Sequence, residues 1–300
     1  MSERFRTYLS YALVCTIWGS TWLVIKVGLE TLTPFFAAGC RFILASAVLF
    51  VLVRLRNVPI PLGRSDVLFY LLVSLTSFSI PYGLVYWGEE HVSSGLTSIL
   101  FTIYPFTVAF FSFLLIPATS VGPGKVAGII LGFVGIVVIF SNDVHLADPE
   151  GMWGMGAILC SAVLQGFSVV AVKKYGHSLH PFALTSVPML LGGAMLLLFS
   201  VASENLSLNS FPPVALLSVL YLAIFGSIVT FVSYFWLLKR VEPVILSLTS
   251  FITPIIAVIL GIVFLGEEFS MRTFTGAAFV LGGLGIANYA DFKGAFGARR

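Results

Sequence analysis

Two basic side chains lie within apolar stretches of this 300-residue sequence. Lys26 lies about one turn from the end of the first stretch, and Arg41 lies roughly 10 Å into the second at 1.5 Å per residue. A charged side chain at the centre of a membrane helix costs about 2.5 to 3.5 kcal/mol on insertion scales, so each needs a partner or a function. Glu30 follows Lys26 by four residues, which favours an ion pair on the helix surface. The guanidinium of Arg41 can tie helices together or bind an anionic substrate group, and the structural tie is the favoured interpretation.

Acidic side chains are absent from the centres of the apolar stretches, which argues against a deep carboxylate relay for protons. Glu89, Glu90 and His91 form a cluster at the end of one stretch. Such a cluster could titrate at the mouth of a cavity, but a solvated turn is the favoured interpretation.

The motifs of hydrolases, metal sites and nucleotide-binding loops are missing from the sequence. It contains no His-Glu-x-x-His, no Gly-x-Ser-x-Gly and no phosphate-binding loop. Its cysteines, Cys15, Cys40 and Cys160, form no Cys-x-x-Cys pair and are interpreted as small core residues. We therefore predict no enzyme activity, no metal and no cofactor, and no transport powered by ATP within this chain.

The composition indicates that the elements positioning these residues lie in a bilayer. Hydrophobic residues make up 58% of the chain and charged residues 10%, whereas soluble domains carry roughly 25% charged residues. The net charge of +3 is small and the basic residues are scattered, which excludes a nucleic-acid partner. The apolar stretches do not alternate in polarity as membrane β-strands do. We predict an all-α polytopic membrane protein whose surroundings are the lipid bilayer.

Charged and Pro/Gly-rich breaks divide the chain into ten stretches near the length of about 20 residues that a spanning helix needs. The predicted transmembrane helices are approximately 8–29, 34–53, 66–88, 93–116, 124–140, 152–172, 181–202, 214–238, 243–265 and 272–291.

The basic residues orient these spans, because Lys and Arg concentrate in short cytoplasmic loops. With both termini inside, 13 of the 16 basic residues are cytoplasmic: Arg4, Arg6, Arg54, Arg56, Arg64, Lys125, Lys173, Lys174, Lys239, Arg240, Lys293, Arg299 and Arg300. We therefore predict a multi-pass cell-membrane protein, of a bacterial inner membrane, with both termini cytoplasmic.

The two halves of the chain resemble each other. Gln165-Gly166, Lys173 and Pro181-Phe182 repeat the spacing of Trp18-Gly19, Lys26 and Pro34-Phe35. Five spans per half is an odd number, so the second copy enters the membrane inverted, an arrangement typical of transporters. A repeat retained only for packing is the alternative. The predicted organisation is a first five-helix repeat at 1–141, an outer linker at 142–151, a second inverted repeat at 152–291 and a cytoplasmic tail at 292–300.

Short motifs follow one another in a fixed order along the spans: Trp18-Gly19-Ser20-Thr21, Lys26, Pro34, Arg41-Phe42, Ser94-Gly95-Leu96, Pro105, Pro254 and Leu265-Gly266-Glu267. In this order they resemble the EamA-type family of the drug/metabolite transporter (DMT) superfamily. The resemblance implies a ten-helix inverted repeat that exports small metabolites, amino acids or drugs. The first-half counterpart of the acidic motif reads Ile116-Pro117-Ala118, so the resemblance does not extend to symmetric carboxylates at both gates.

Polar and aromatic side chains near the middle of the spans predict a substrate cavity. Trp18 and Gln165 occupy repeat-related positions, where a polar group in an apolar stretch must find a partner. Hydroxyl residues share one face of the fourth span and one face of the ninth, and tyrosines add large surfaces with a hydroxyl group. The predicted substrate-binding residues are Trp18, Tyr82, Tyr86, Ser98, Thr102, Tyr104, Gln165, Tyr234, Ser247 and Ser250. Because hydroxyls also join helices, we expect about half of them to face the cavity.

Pro105 and Pro254 lie near the middle of their spans and are predicted to be paired gate hinges. A proline frees the carbonyl four residues back and bends the helix, here at Phe101 and Ser250. The neighbouring hydroxyls of Thr102 and Thr249 are the expected donors to these carbonyls. A static kink that only shapes packing is the alternative.

Gly124, Gly128 and Gly132 form a stripe of small residues four apart on the fifth span. Such stripes allow close approach of helices. We predict a scaffold contact or a homodimer contact at this stripe.

The favoured function is a secondary transporter, an exporter of small metabolites such as amino acids or amphipathic drugs, working by alternating access. A flippase for lipid headgroups or polyprenyl carriers is the first alternative, although it needs a basic headgroup pocket and deep bases are few. An intramembrane hydrolase is a more distant alternative because its motifs are missing.

Overall fold

The computed structural model describes residues 3–116, 123–140, 149–205, 212–241, 243–247 and 249–297, and within these ranges it is helical without strands. The helices in chain order are α1 (Glu3–Leu29), α2 (Pro34–Leu55), α3 (Arg64–His91), α4 (Ser94–Leu115), α5 (Pro123–Phe140), α6 (Pro149–Tyr175), α7 (Pro181–Ser203), α8 (Pro213–Leu238), α9 (Pro243–Ser247), α10 (Thr249–Leu260) and α11 (Met271–Gly297). Most of the predicted linker at 142–151 lies outside the described residues. The predicted tail at 292–300 continues α11 as far as Gly297.

Seven of the described helices are long and apolar enough to cross a membrane, namely α1 from Phe5 onward, α2, α3, α4, α6, α7 and α8. Shorter apolar helical stretches occupy Ile130–Ile139 of α5 and Ile252–Leu265 at the end of α10 and beyond. The prediction of an all-helical, multi-pass membrane protein is therefore confirmed. The ten-span inverted arrangement stays a prediction.

Several helices begin at proline, whose missing N–H costs nothing in the first turn. Two helix N-termini also receive a distant carboxylate. Glu204 accepts from the backbone N–H groups of Phe35 (2.8 Å) and Phe36 (3.1 Å) at the start of α2. Glu267 accepts from those of Ser94 (2.7 Å) and Gly95 (3.0 Å) at the start of α4. Negative charge at these ends satisfies unpaired N–H groups and complements the helix dipole.

The glycine stripe of α5 packs against α11 of the same chain. A methyl group built on Gly276 of α11 would lie 2.6 Å from the carbonyl oxygen of Gly135, and one built on Gly283 would lie 2.5 Å from that of Gly128. Gly132 is equally tight against the Phe106 ring, and Gly124 faces the carbonyl of Ile286. The stripe therefore makes an internal scaffold contact, and a homodimer of the protein stays a prediction.

Helices α3 and α8 each contain a π-helical turn near the middle, at Ser74–Ser79 and Ile224–Val229. A π-turn leaves backbone carbonyls without their ordinary helical donors, and such turns are frequent at functional positions. The sequence prediction contained neither turn. Helix α4 is interrupted by a 3₁₀ turn at Phe101–Ile103, after which Tyr104 and Pro105 restart the α-helix, and Pro254 lies within α10.

The predicted donors to the carbonyls freed by the prolines lie elsewhere. The hydroxyl of Thr102 donates to the carbonyl of Ile99, not to that of Phe101, because the 3₁₀ turn changes the local geometry. Thr249 faces the cavity described below. Whether Pro105 and Pro254 act as gate hinges stays a prediction.

Candidate functional site

A narrow cavity of about 60 Å³ lies between α1, α3, α4, α6 and α10. Five of the predicted substrate-binding residues line it: Trp18, Tyr82, Tyr104, Gln165 and Ser250. Their helices come from both halves of the chain. Sites of small-molecule ligands commonly measure about 300 to 1,000 Å³, so the cavity as packed is smaller than such a site and must widen to bind a solute of that class.

The other five predicted residues are buried but are not part of the cavity lining. The hydroxyl of Ser98 donates to the Gly95 carbonyl, and Thr102 is bonded to Ile99 as described above. The Tyr234 hydroxyl lies 2.6 Å from that of Tyr104. Tyr86 and Ser247 are buried without being part of the lining. Hydroxyl groups of the same spans thus divide between cavity and packing, which spacing alone does not resolve.

Sequence reasoning missed more than half of the cavity wall: Thr21, Trp22, Ile25, Val85, Phe101, Thr249 and Thr253. Their helical spacing was available, since Thr21, Trp22 and Ile25 share a face of α1 with Trp18. The sequence of α1 does not indicate which face turns toward the interior, because apolar residues lie on all sides of the helix.

The cavity wall is aromatic and carries two free N–H donors. Trp18 packs on Phe231 and Tyr234, with ring centroids 5.3 and 5.1 Å apart, and Trp22 packs on Phe101 at 5.4 Å. The indole Nε1 atoms of Trp18 and Trp22 are buried and have no hydrogen-bond partner among the described residues. A buried indole N–H usually finds an acceptor. Both nitrogen atoms are enclosed by the surrounding packing, so a ligand reaches these two donors only when the cavity widens.

Arg41 joins α2 to the π-turn of α8 from behind the cavity wall. Its side chain is 1% exposed, and it donates to the Ser227 hydroxyl (2.8 Å), the Gly226 carbonyl (2.8 Å) and, more weakly, the Tyr86 hydroxyl (3.3 Å). The guanidinium carbon also lies 4.9 Å from the centroid of the Tyr82 ring. Arg41 thus occupies the helix-joining role, and it donates to a carbonyl within the π-turn.

Lys26 caps the end of α3 rather than pairing with Glu30. Its ammonium donates to the backbone carbonyls of Glu89 (2.6 Å), Val92 (3.0 Å) and Glu90 (3.3 Å). The last carbonyls of a helix lack partners and attract cations, so this buried end is a better site than a surface carboxylate. The ion pair predicted from the four-residue spacing is wrong for this reason.

Lys173 makes the matching contact at the end of α8, donating to the carbonyls of Leu238 (2.7 Å) and Val241 (3.2 Å). Helices α3 and α6 run antiparallel, because Gly88 lies against Gly154 while Gly176 lies against Phe69. The two lysines therefore cap helices at opposite ends of the bundle.

Glu89 is 0% exposed, so its interpretation as part of a solvated turn is wrong. Both carboxyl oxygens lack a hydrogen-bond partner in the described part of the chain. Its neighbour Glu90 is exposed, and His91 lies 3.5 Å from the carboxylate of Glu150. The packing of α1 and α6 over the end of α3 separates these three consecutive residues into different environments.

An all-helical membrane bundle with a cavity lined from both halves of the chain has the architecture of a membrane transporter. The chain matches the EamA-like transporter family over residues 6–141 and again over 152–289, and it belongs to that family. It is therefore a membrane transporter of the EamA type within the drug/metabolite transporter superfamily.

Two of the relatives with curated names are bacterial transporters. An uncharacterized transporter of Buchnera aphidicola subsp. Schizaphis graminum is 30% identical over 248 residues, covering 82% of each chain. The uncharacterized inner membrane transporter YedA of Escherichia coli K12 is 31% identical over 261 residues, covering 85% of this chain and 81% of YedA. A solved crystal structure shares the fold with a TM-score of 0.71 at 19% identity, covering 96% of this chain and 98% of that one.

Proposed function

We propose that the protein is a secondary transporter that exports small amphipathic metabolites, such as amino acids or drugs, by alternating access. The observation that carries the proposal is the aromatic cavity with two unpartnered indole N–H groups, Trp18 Nε1 and Trp22 Nε1. A ligand that supplies hydrogen-bond acceptors there satisfies both donors and avoids the cost of leaving them unpaired. Its apolar part is taken by the surrounding rings.

The lining argues against the flippase alternative. The side chains of the cavity wall in the described residues are uncharged. Arg41, the deepest guanidinium, is already bonded to Ser227 and Gly226. A phosphorylated headgroup would need free cations at this place. An acceptor-bearing solute such as a zwitterionic amino acid needs only the neutral donors.

The proposed architecture is a pair of inverted five-helix repeats, 1–141 and 152–291, with both termini cytoplasmic. The Lys26 and Lys173 caps at opposite ends of the bundle support inversion, as do the π-turns at corresponding places in α3 and α8. The basic residues that follow α2 and α8 support the orientation. A single cysteine introduced at Arg56 should react with a membrane-impermeant maleimide only from the cytoplasmic side. Reaction from the outside alone would reverse the assignment.

Transport is tested with purified protein in proteoliposomes, measuring efflux of amino acids and aromatic drugs with and without a pH gradient. Trp18→Phe and Trp22→Phe keep a ring but remove the N–H, so each should raise the apparent KM about tenfold for acceptor-bearing substrates, the equivalent of one hydrogen bond. Trp153→Phe is the matched control, because Trp153 is 72% exposed on α6, away from the cavity. Equal kinetics for all three variants would remove the indoles from the binding site, and no transport of any compound would contradict the proposed function.

A further inference from the structure

Glu89 is a buried acidic side chain to which the transport proposal assigns no role. It lies in the last turn of α3, one turn beyond Val85 of the cavity wall, and it has no contact with water. Neither of its carboxyl oxygens has a hydrogen-bond donor among the residues described. An ionised carboxylate in such surroundings is far less stable than the neutral acid.

The cations that face Glu89 are engaged with other groups. Lys26 of α1 donates to three backbone carbonyls, including that of Glu89 itself. Arg41 of α2 donates to α8 and to the Tyr86 hydroxyl. Each contributes attraction through space, but neither supplies a hydrogen bond to the carboxyl group.

The acidic and phenolic groups around Glu89 do not supply a donor to it. Glu267, in the turn before α11, repels a negative charge at this place, and its own oxygens are bound to the first N–H groups of α4. Tyr86 and Glu90 are its ionisable neighbours on α3, and Glu150 of α6 is paired with His91. The arrangement as packed therefore accommodates a neutral, protonated Glu89.

We propose that Glu89 binds a proton in this conformation and releases it when the adjoining ends of α1, α3 and α4 separate, so that proton exchange is coupled to alternating access. In the separated state water solvates the carboxylate; the O–H bond breaks, the electron pair stays on the carboxylate oxygen and the proton passes to water. Rebinding of a proton removes the charge and allows the ends to close again. This inference rests on the proposed function, because it couples the proton to the same conformational cycle.

The coupling is tested without a substrate. Cys15, Cys40 and Cys160 are replaced by serine, and a cysteine is placed at Ile25, a cavity-wall residue that is 2% exposed and precedes Lys26. Its reaction rate with N-ethylmaleimide is measured at intervals from about pH 5.5 to 8.5. Each rate is divided by that of the same protein carrying Glu89→Gln, which cancels the titration of the thiol itself.

The rate ratio should rise by about fivefold or more with pH, because ionisation of Glu89 opens this end of the cavity whereas Glu89→Gln keeps it closed. Glu90→Gln, the exposed neighbour, should follow the parent, and Glu89→Asp should keep a pH-dependent rate. A ratio that does not change with pH overturns the proposal. If Glu89→Gln does not yield folded protein, Glu89→Met replaces it as the uncharged reference, and a ratio to Glu89→Met that does not change with pH overturns the proposal.

This outcome is separable from that of the transport assay. A protein that transports substrate while its labelling ratio stays flat refutes only the proton coupling. A protein with the expected labelling that moves no compound of the panel contradicts the proposed function and leaves the proton-dependent opening standing.

Discussion

The ammonium groups of Lys26 and Lys173 make the same contact in the two halves of the chain. Lys26 Nζ lies 2.6 Å from the Glu89 carbonyl oxygen at the end of α3, and Lys173 Nζ lies 2.7 Å from the Leu238 carbonyl oxygen at the end of α8. Each lysine thereby joins the first helix of its half to the third. The contact explains why a charge is retained near the end of an apolar helix: it satisfies carbonyls that have no helical donor.

Replacing either capping lysine should destabilise the bundle. Lys26→Met and Lys173→Met keep the apolar stem but leave at least two carbonyls without a donor, at a cost of about 1 to 3 kcal/mol each. Lys174→Met is the matched control, since Lys174 is exposed and contacts only the Tyr175 ring within the described contacts. The midpoint of thermal unfolding in detergent is the measurement. A Lys174→Met protein as destabilised as Lys173→Met would contradict the capping role.

Arg41→Met should reduce folded protein severely. It removes the three hydrogen bonds of a side chain that is 1% exposed, including the bond to the Gly226 carbonyl of the π-turn, a loss of about 3 kcal/mol or more. Arg41→Lys should be intermediate, because one ammonium cannot reproduce the planar fork. Arg54→Met, at an exposed position of the same helix, is the control. Monodisperse yield after purification is compared, and full yield of Arg41→Met would show that the π-turn needs no donor from α2.

Gly276→Ala should destabilise the contact between α5 and α11. The added methyl group would lie 2.5 Å from the Ile139 side chain and 2.6 Å from the Gly135 carbonyl oxygen, so the helices must separate. Overpacking of this kind costs about 1 to 3 kcal/mol. Gly285→Ala lies on the same helix with nothing within 4 Å, and it should be neutral or slightly stabilising because alanine favours a helix. Limited proteolysis and thermal unfolding would detect the difference, and equal behaviour of both variants would contradict the close contact.

His180 should make a small pH-dependent contribution to stability. Burial, and then the positive charge of Lys239, lower the pKa of His180 below its usual 6.5, and its Nδ1 accepts from the Phe182 N–H at the start of α7. The folded state therefore favours the neutral ring, so the contribution is present above about pH 6.5 and is lost as the pH falls toward the lowered folded value. His180→Asn keeps an acceptor at this N-cap without a titration. Its unfolding midpoint should fall less than that of the parent between about pH 7 and pH 5, and parallel curves would contradict the assignment.

The sequence by itself determined the environment, the helical class and the family of the protein. A chain with 58% hydrophobic and 10% charged residues cannot cover itself with a solvated surface, and helices satisfy their own backbone in lipid, so both conclusions follow from local composition. Five of the ten predicted substrate-binding residues line the cavity, and they too were predicted from local composition. Trp18 and Gln165 are polar or aromatic residues in apolar surroundings, and each lines the cavity.

Only the tertiary structure decided which face of each helix turns inward and which partner each polar group finds. In a membrane span nearly all faces are apolar, so periodicity does not distinguish the face toward lipid from the face toward the core. For that reason the sequence did not indicate Trp22 and Phe101 as cavity residues. The ammonium of Lys26 donates to backbone carbonyls at the end of α3, although the Glu30 carboxylate is only four residues away in sequence. Glu89 is buried because α1 and α6 pack over it. Such partners lie 60 or more residues apart in sequence, as for Lys26 and Glu89 with a separation of 63. Contacts over such separations are set by helix packing, and local spacing contains no record of them.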